Sequence, residues 1–244
     1  GLDRDQLERA VATGLRDVRR VRRRVQRMAD EILDGPSDRI LVILGKPYNL
    51  IDPFLNMGLG RHLRRLGLPF VPMDGLPLDG VMLDERWTDL PWGVNRDYVR
   101  AAMCIRRDPR LFPVVLSSFG CGPDGFGVKH VDALLGHRPR LMLELDEHRA
   151  EAGLITRLEA FADEIDVHLR RRERRPAPPI PRDRITRRFG PSRRVFVPLV
   201  ADGVHMFAGV IRRGGHEVIV LPPPSDEVLK QGEELASGRE CHAY

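Results

Sequence analysis

The chain has 244 residues, of which 42% are hydrophobic, so it is long enough to bury one large core or two small ones and is not a disordered chain. Its net charge of +5 suggests a nucleic-acid partner, but only three of its 40 basic residues are lysines, as an arginine-rich coding bias produces. Aromatic residues make up 6% and do not interleave with the basic runs, as base stacking requires. We therefore expect no nucleic-acid partner.

Membrane insertion is also not expected, because no apolar run approaches the roughly 18 residues of a membrane span. The N-terminus is charged from residue 3 and lacks the apolar region of a signal peptide. We predict a soluble, cytoplasmic protein with no membrane partner. The three cysteines, Cys104, Cys121 and Cys241, form no CxxC pair and are too few for a metal site held by four thiolates of this chain.

The first predicted element is a long amphipathic helix over residues 3–34, which Gly35 and Pro36 end. Its apolar residues are spaced by three and four, and the arginines between them indicate a solvated face. The apolar positions are Leu7, Val11, Leu15, Val18, Val21, Val25, Met28 and Ile32.

Strands and helices then alternate, which predicts an α/β domain with a parallel sheet flanked by helices in a three-layer, Rossmann- or flavodoxin-like arrangement. The run at 39–45 is apolar throughout, as in a parallel strand buried on both faces. Further predicted strands are 68–73, 112–118 and 140–145, and predicted helices are 54–66, 94–107, 126–136 and 146–172.

In the second half of the chain, the sequence pattern predicts a domain boundary followed by an incomplete α/β domain. Residues 173–192 are rich in Pro and Arg, which is typical of a linker. After it we predict strands at 194–200 and 217–222, with helices at 203–213 and from Asp226 onward. The predicted organisation is thus a helix (1–35), an α/β domain (36–172), a linker (173–192) and the start of a second α/β domain (193–244), which two strands cannot complete.

Four polar or glycine-rich motifs follow the four strands of the first domain. They are GKPYNLID, MDGLP, SSFGCGPD and LDEH, in chain order. Because ligands of open α/β sheets bind at the carboxyl ends of the strands, these motifs predict a site along one edge of the sheet.

The motif SSFGCGPD places Cys121 between Gly120 and Gly122, where the backbone can approach a ligand closely. An ordinary glycine-rich turn with an incidental thiol remains an equal alternative. In LDEH, helix capping explains Asp146 and Glu147 without function, and His148 fits a ligand, a proton donor or a surface residue. Lys46 lies in a turn that lacks the P-loop pattern.

The other two cysteines are less informative. Cys104 lies in an amphipathic helix and is expected in the core. Cys241, next to His242, indicates nothing by itself.

Together these motifs resemble the 2-hydroxyglutaryl-CoA dehydratase and benzoyl-CoA reductase-type iron–sulfur protein family, and within it the large CoA-substrate-specific activase-related proteins. The chain departs from the family pattern at three positions: Lys46 replaces an arginine, Gly125 a serine and Ala243 a proline. The segments that carry the resemblance are LGKPYNLIDPFLNMGLGRHLRRLG, FGCGPD, LELDEHRAEAGLITRLEAFAD and SGRECHAY.

The resemblance implies a [4Fe–4S]-type iron–sulfur cluster with Cys121 and Cys241 as thiolate ligands, and a further ligand N-terminal to this chain. It also implies an ATP-dependent activase partner and an acyl-CoA-type substrate that is dehydrated or reduced, although this segment alone is expected to be inactive and to lack the ATP site. The alternative is a non-catalytic α/β scaffold or binding module without a cluster. The residues expected to line the cofactor site are Gly45, Lys46, Tyr48, Asp124, Glu147 and His148.

Overall fold

The computed structural model describes residues 3–84, 87, 90–118, 121–145, 151–171, 194–199 and 201–235. The chain divides into two compact units, Gly1–Pro181 and Arg182–Tyr244. The predicted linker at 173–192 lies outside the described residues, so the predicted domain boundaries stay a prediction.

The first unit begins with the long helix α1 (Arg4–Leu33). Asp3 caps it by accepting the Gln6 backbone N–H at 2.7 Å, while the Gln6 side chain accepts the Asp3 N–H at 3.0 Å. Residues 3–24 are exposed, and the helix packs against the rest of the unit near its C-terminal end. There Ala29 is buried against Gly75, so closely that a Cβ on Gly75 would lie 2.6 Å from that of Ala29.

A four-stranded parallel sheet forms the centre of this unit, in the order β2–β1–β3–β4. The strand β1 is buried at every position, which confirms the expectation drawn from its continuous apolar run. In the register of β1 and β3, Ile40 lies beside Leu111 and Gly45 beside Leu116. The strands are β1 (Ile40–Gly45), β2 (Phe70–Pro72), β3 (Leu111–Ser118) and β4 (Leu141–Leu145).

Helices cover both faces of the sheet, as the α/β prediction requires. One face carries the core that α1, α4 and α5 form with Ile40, Val42 and Leu44, and the other carries the core that α3 and α6 form with Leu41 and Ile43. Two short 3₁₀ turns, Met73–Gly75 and Leu78–Gly80, follow β2. The remaining helices are α2 (Pro47–Ile51), α3 (Leu59–Arg65), α4 (Gly93–Arg107), α5 (Gly122–Leu135) and α6 (Glu151–Arg171).

Two helix predictions were wrong in their bounds. The helix expected at 54–66 is only α3, because Met57 and Gly58 take left-handed backbone conformations with φ of 53° and 66°, which a helix cannot contain. The helix expected from residue 126 already begins at Gly122, and Pro123 fits its first turn because a proline there loses no helical hydrogen bond. Cys121 is therefore the N-cap of a helix rather than the middle of a turn.

The second unit contains a parallel pair of strands with a helix between them. Its apolar core is small and consists of Val197, Val204, Ala208 and Val218. None of the helices that the structure describes, in either unit, is both long and apolar enough to cross a membrane. The elements are β5 (Arg194–Val197), α7 (Gly203–Arg213), β6 (Glu217–Val220) and α8 (Asp226–Leu235).

Candidate functional site

The candidate site lies where the chain leaves β1 and β3 at their carboxyl ends. The strand order places β2 on one side of β1 and β3 on the other, and the helices α3 and α5 that follow β1 and β3 pack on opposite faces of the sheet. Because the chain leaves β1 and β3 toward opposite faces of the sheet, a crevice opens between the two strand ends. Doubly wound α/β proteins bind their ligands in such a crevice.

Two helix N-caps face each other in this crevice. Lys46 follows β1 and is the N-cap of α2, and Cys121 is the N-cap of α5. The Lys46 ammonium donates to the Cys121 sulfur, with 2.5 Å between Nζ and Sγ. Cys121 is half-buried, and its side chain does not cap its own helix. The thiol is thus held by a cation from the neighbouring strand.

A buried carboxylate holds the lysine in place. Asp124 is fully buried, and its Oδ2 lies 3.3 Å from Lys46 Nζ. The same oxygen accepts the Ser117 hydroxyl at 3.3 Å and the Ser118 N–H at 3.4 Å, while Oδ1 accepts the Tyr98 hydroxyl at 3.2 Å. Because a buried charge is tolerated only when it is paired and hydrogen-bonded, this network explains how Asp124 can lie in the interior.

These contacts fix the charge of the site. Burial lowers the pKa of Lys46, but its contacts with Cys121, Tyr48 and Asp124 outweigh burial and leave that pKa above its ordinary value. Burial, together with Asp124, raises the pKa of Tyr98, so its phenol remains a hydrogen-bond donor. The site therefore presents a lysine that stays cationic at neutral pH beside the Cys121 sulfur.

Close packing supports the same residues. Gly127 lies on α5 where a Cβ would overlap the Tyr98 ring and come within 2.9 Å of Asn95 Oδ1. Only a glycine at this position lets α5 approach α4 closely enough for Tyr98 to reach Asp124. At the strand end, a Cβ on Gly45 would lie 3.2 Å from Leu116 Cβ, so Gly45 permits the close packing of β1 against β3.

Several of the residues predicted from the strand-end motifs lie together in the structure. Gly45 ends β1, Lys46 contacts both Cys121 and Asp124, and the Tyr48 ring lies 5.8 Å from Lys46 Nζ, within cation–π range. The predicted residues Glu147, His148 and Cys241 lie outside the described part of the chain.

Sequence reasoning missed three residues of the network: Tyr98, Ser117 and Asn49. Ser117 lies in the motif SSFGCGPD, but the sequence pattern indicated no role for it. Asn49 donates to the Ser118 hydroxyl at 3.4 Å from the first turns of α2, a helix that was not predicted. Nothing in the local pattern signals Tyr98, because its contact depends on how α4 packs against α5.

A [4Fe–4S] cluster needs four ligands, usually cysteine thiolates. Of the two free cysteines that the structure describes, Cys104 packs against the apolar core, and burial raises the pKa of its thiol, which disfavours a ligating thiolate. Among those residues, no three His, Cys, Asp or Glu side chains form a group that could hold a metal ion. The described part of the chain thus fits one thiolate ligand, Cys121, and not a complete cluster.

Comparison with known proteins bears on the first part of the chain. Residues 1–76 match the family model of the CoA enzyme activase uncharacterised domain (DUF2229), a segment that runs from α1 through β2 to the first 3₁₀ turn. No curated protein and no solved structure matches the chain. The matched segment is less than a third of the chain and contains Lys46 but not Cys121. An activase-related CoA-enzyme domain is therefore indicated for the part that carries the lysine of the site.

Proposed function

We propose that this chain is a component of a CoA-enzyme activase-type system and contributes Cys121 as one thiolate ligand of a [4Fe–4S]-type iron–sulfur cluster. The observation that carries the proposal is the contact between Lys46 and Cys121 at the ligand-binding edge of the sheet. A half-buried sulfur beside a fixed cation, at the first turn of a helix, lies where the negative charge of a metal-bound thiolate would be balanced.

The residues of the site have separate tasks in this proposal. Lys46 balances the negative charge on the sulfur, and Asp124, held by Ser117 and Tyr98, keeps Lys46 oriented. The helix α5, with Gly122 and Pro123 in its first turn, fixes the direction of the Cys121 side chain. A protein that holds its ligands in this way tunes a cluster through nearby charges and hydrogen bonds to sulfur.

The remaining ligands would come from outside the described residues, with Cys241 and a segment N-terminal to this chain as those that the family resemblance implies. When bound, the cluster would supply low-potential electrons to a CoA thioester or a similar substrate. The expected partners are an ATP-dependent activase domain or subunit and an acyl-CoA-type substrate. The match of residues 1–76 to a CoA enzyme activase domain supports this setting.

The test uses the full-length protein, purified and reconstituted without oxygen, and measures bound iron, acid-labile sulfide, visible absorbance and the electron paramagnetic resonance of the reduced sample. We expect Cys121→Ala to lose most of the bound iron and the spectrum of the cluster. The matched control is Cys104→Ala, which removes the other described thiol and is expected to keep both. Retention of a full cluster by Cys121→Ala would contradict the ligand assignment.

The second candidate, a scaffold or binding module without a cluster, is favoured by one observation. The Cys121 sulfur already has a hydrogen-bonding partner in Lys46, and no second cysteine or histidine joins it in a metal-binding group within the described residues. If the wild-type protein binds no iron under reconstitution while it keeps its fold, this candidate replaces the first. Iron that is lost only in Cys121→Ala would exclude it.

A further inference from the structure

The helix α1 exposes an apolar surface over most of its length. Residues 3–24 are exposed, and the side chains of Leu7, Val11, Val18 and Val21 keep between 50% and 64% of their area open. Most helical stability in proteins comes from the packing of an apolar face rather than from the intrinsic propensity of the residues. The exposed stretch therefore needs a partner along its apolar face.

The apolar residues of α1 follow a strict seven-residue repeat. Val11, Val18, Val25 and Ile32 are each seven residues apart, and Leu7, Gly14, Val21 and Met28 form a second series between them. The resulting alternation of four and three residues places both series on one seam, with the first series at position a and the second at position d of a coiled coil. β-Branched residues at every a position are typical of parallel, two-stranded coiled coils.

The body of the first unit reaches this seam only at its end, where the seam residue Ile32 packs against the apolar core. It contacts the helix on the flank that contains Ala29, which is 2% exposed, whereas the seam residue Met28 beside it is 57% exposed. Val25 is half-buried and lies between the two surfaces. A second helix can consequently lie along the seam from Leu7 to about Met28, a length of about 33 Å, without displacing the contacts of α1 with the body.

One of the two charged pairs beside the seam fits a second copy of the same helix in parallel, whereas the other, Asp3 at position g with Glu8 at position e, brings two acidic side chains together. Asp17 at position g and Arg22 at position e of the next heptad meet across a parallel pair, which gives two symmetric ion pairs. In an antiparallel pair, g faces g and e faces e, so this match would be lost.

In the single chain Asp17 makes an exposed contact with Arg20 at 3.3 Å, which costs little to exchange. Arg22 lines a pocket with Asp74 and Asp97 of the body, so the Asp17 of a second copy competes with these carboxylates for it.

The many arginines of α1 do not oppose this pairing. Arg9, Arg16 and Arg23 all fall at position f, on the side of the helix opposite the seam, where a partner helix does not approach them. A glycine at the seam, Gly14, contributes no burial, and a Cβ there would meet nothing within 4 Å in the single chain. The pair is consequently expected to be of moderate strength and to separate on dilution.

From the repeat, the exposed seam and the charge match, we propose that α1 pairs with the α1 of a second copy of this protein as a parallel, two-stranded coiled coil. The proposal concerns the first unit alone and is independent of the Cys121 site. It assigns α1 an interaction function that the family match at residues 1–76 does not describe.

The first test measures the mass of the full-length protein over a range of concentrations by sedimentation equilibrium. We expect a monomer–dimer equilibrium that Val18→Asp weakens by at least about 100-fold, because a buried valine and its symmetry mate are both replaced by a carboxylate. The matched control Ala12→Asp places the same side chain at position b of the same helix and is expected to leave the equilibrium within a few-fold. Circular dichroism of both variants shows whether α1 remains helical.

The second test determines the direction of the pair through engineered thiols. Gly14→Cys places a thiol at position d, where it faces its own copy in a parallel pair, and mild oxidation is expected to give a disulfide-linked dimer. The control is Ala12→Cys, which places the thiol at position b, away from the seam. Any disulfide links that involve the native cysteines form equally in this variant. Asp17→Arg is expected to weaken the dimer, and Asp17→Arg combined with Arg22→Asp to restore it in part.

Three results would overturn the proposal. The first is a protein that stays monomeric at all concentrations, with α1 covered by another part of its chain or by a different protein. The second is a dimer that Val18→Asp leaves unchanged, because it would use another surface. The third is cross-linking of Ala12→Cys as efficient as that of Gly14→Cys, because the seam would then not lie in the interface.

Discussion

At the scale of single residues, the site depends on one buried ion pair. The Asp124 side chain is fully buried and that of Lys46 is 15% exposed, so the charge of Asp124 cannot be compensated by water if Lys46 is removed. Ser117 and Tyr98 donate hydrogen bonds to the carboxylate but carry no charge. Lys46 is therefore expected to contribute to folding as well as to the chemistry of Cys121.

We predict that Lys46→Met lowers the free energy of unfolding by about 3–5 kcal/mol, because breaking a buried pair leaves an uncompensated charge. Urea denaturation of the two proteins measures this difference. The control is Lys129→Met, which makes the same change at an exposed position of α5 and is expected to alter stability by no more than about 0.5 kcal/mol. A loss of less than 1 kcal/mol in Lys46→Met would show that the hydrogen bonds of Asp124 are sufficient without the lysine.

The sequence was sufficient to predict that the residues after β1 and β3 lie at the same edge of the sheet, but not which of them meet or how they are held. Lys46, Cys121 and Asp124 were found because parallel strands end at the same edge of a sheet, and that rule needs only the strand positions. Tyr98 was missed because its contact with Asp124 requires α4 to pack closely against Gly127 of α5. No local sequence pattern indicates this packing. The pairing of Lys46 with Cys121 likewise requires the order of the strands, which the sequence pattern does not give.

At the scale of elements, a cluster of charges joins α1, α4 and β3. Arg110, just before β3, donates to the Leu33 carbonyl at 2.9 Å and the Gly35 carbonyl at 3.2 Å at the end of α1, and to Asp108 at 2.8 Å. Arg138 donates to the carbonyls of Ile105, Asp108 and Leu111. These bonds satisfy backbone acceptors at helix ends, which otherwise lack partners.

This cluster predicts an acid-sensitive contribution to stability. Burial alone raises the pKa of Asp108, but its hydrogen bonds and charge contact with Arg110, helped by Arg138, outweigh burial and hold that pKa below its ordinary value. The native state then binds fewer protons at Asp108 than the unfolded state does. The contribution is therefore fully present above the ordinary aspartate pKa of about 4 and is lost as the pH falls through the lowered value.

Urea unfolding at a series of pH values between neutrality and acid measures this effect. We expect Asp108→Asn to reduce the loss of stability in acid, and Arg110→Gln to reduce it similarly, because each removes the partner of the other. If the acid dependence of Asp108→Asn is the same as that of the wild type, the cluster does not carry the proposed linkage.

The bounds of helices and strands also show which sequence patterns predict structure accurately and which do not. The helix α1 and the strand β1 were predicted almost to the residue, because the apolar pattern of each continues without interruption from one end to the other. The helix at 54–66 failed because the left-handed backbone at Met57 interrupts a pattern that is otherwise helical. The start of α5 was predicted too late because the glycines around Cys121 suggested a turn. In the structure the helix begins at Gly122, with Cys121 as its N-cap and Pro123 in its first turn.

At the scale of the whole molecule, the net charge is concentrated in one element. Nine arginines and five acidic residues fall within α1, so this helix carries four of the five net positive charges of the chain. The positive net charge of the chain therefore lies mainly on α1, although most of the arginines lie elsewhere in the sequence. The expectation that no nucleic acid binds stays a prediction.

The two compact units differ greatly in the core that each can form. Among the described residues, the first unit has a four-stranded sheet with apolar cores on both faces, whereas the second has a two-stranded sheet and four buried apolar residues. On α7 of the second unit, Met206, Phe207 and Val210 remain between 58% and 77% exposed. Two strands with one small core are at best marginally stable in water.

We therefore predict that a fragment of residues 1–181 unfolds cooperatively, whereas a fragment of residues 182–244 shows no cooperative transition. Thermal circular dichroism and the dispersion of amide signals in nuclear magnetic resonance spectra measure this difference. A well-dispersed spectrum of the isolated 182–244 fragment would contradict the prediction, because it would mean that four buried side chains offset the entropy of ordering the fragment.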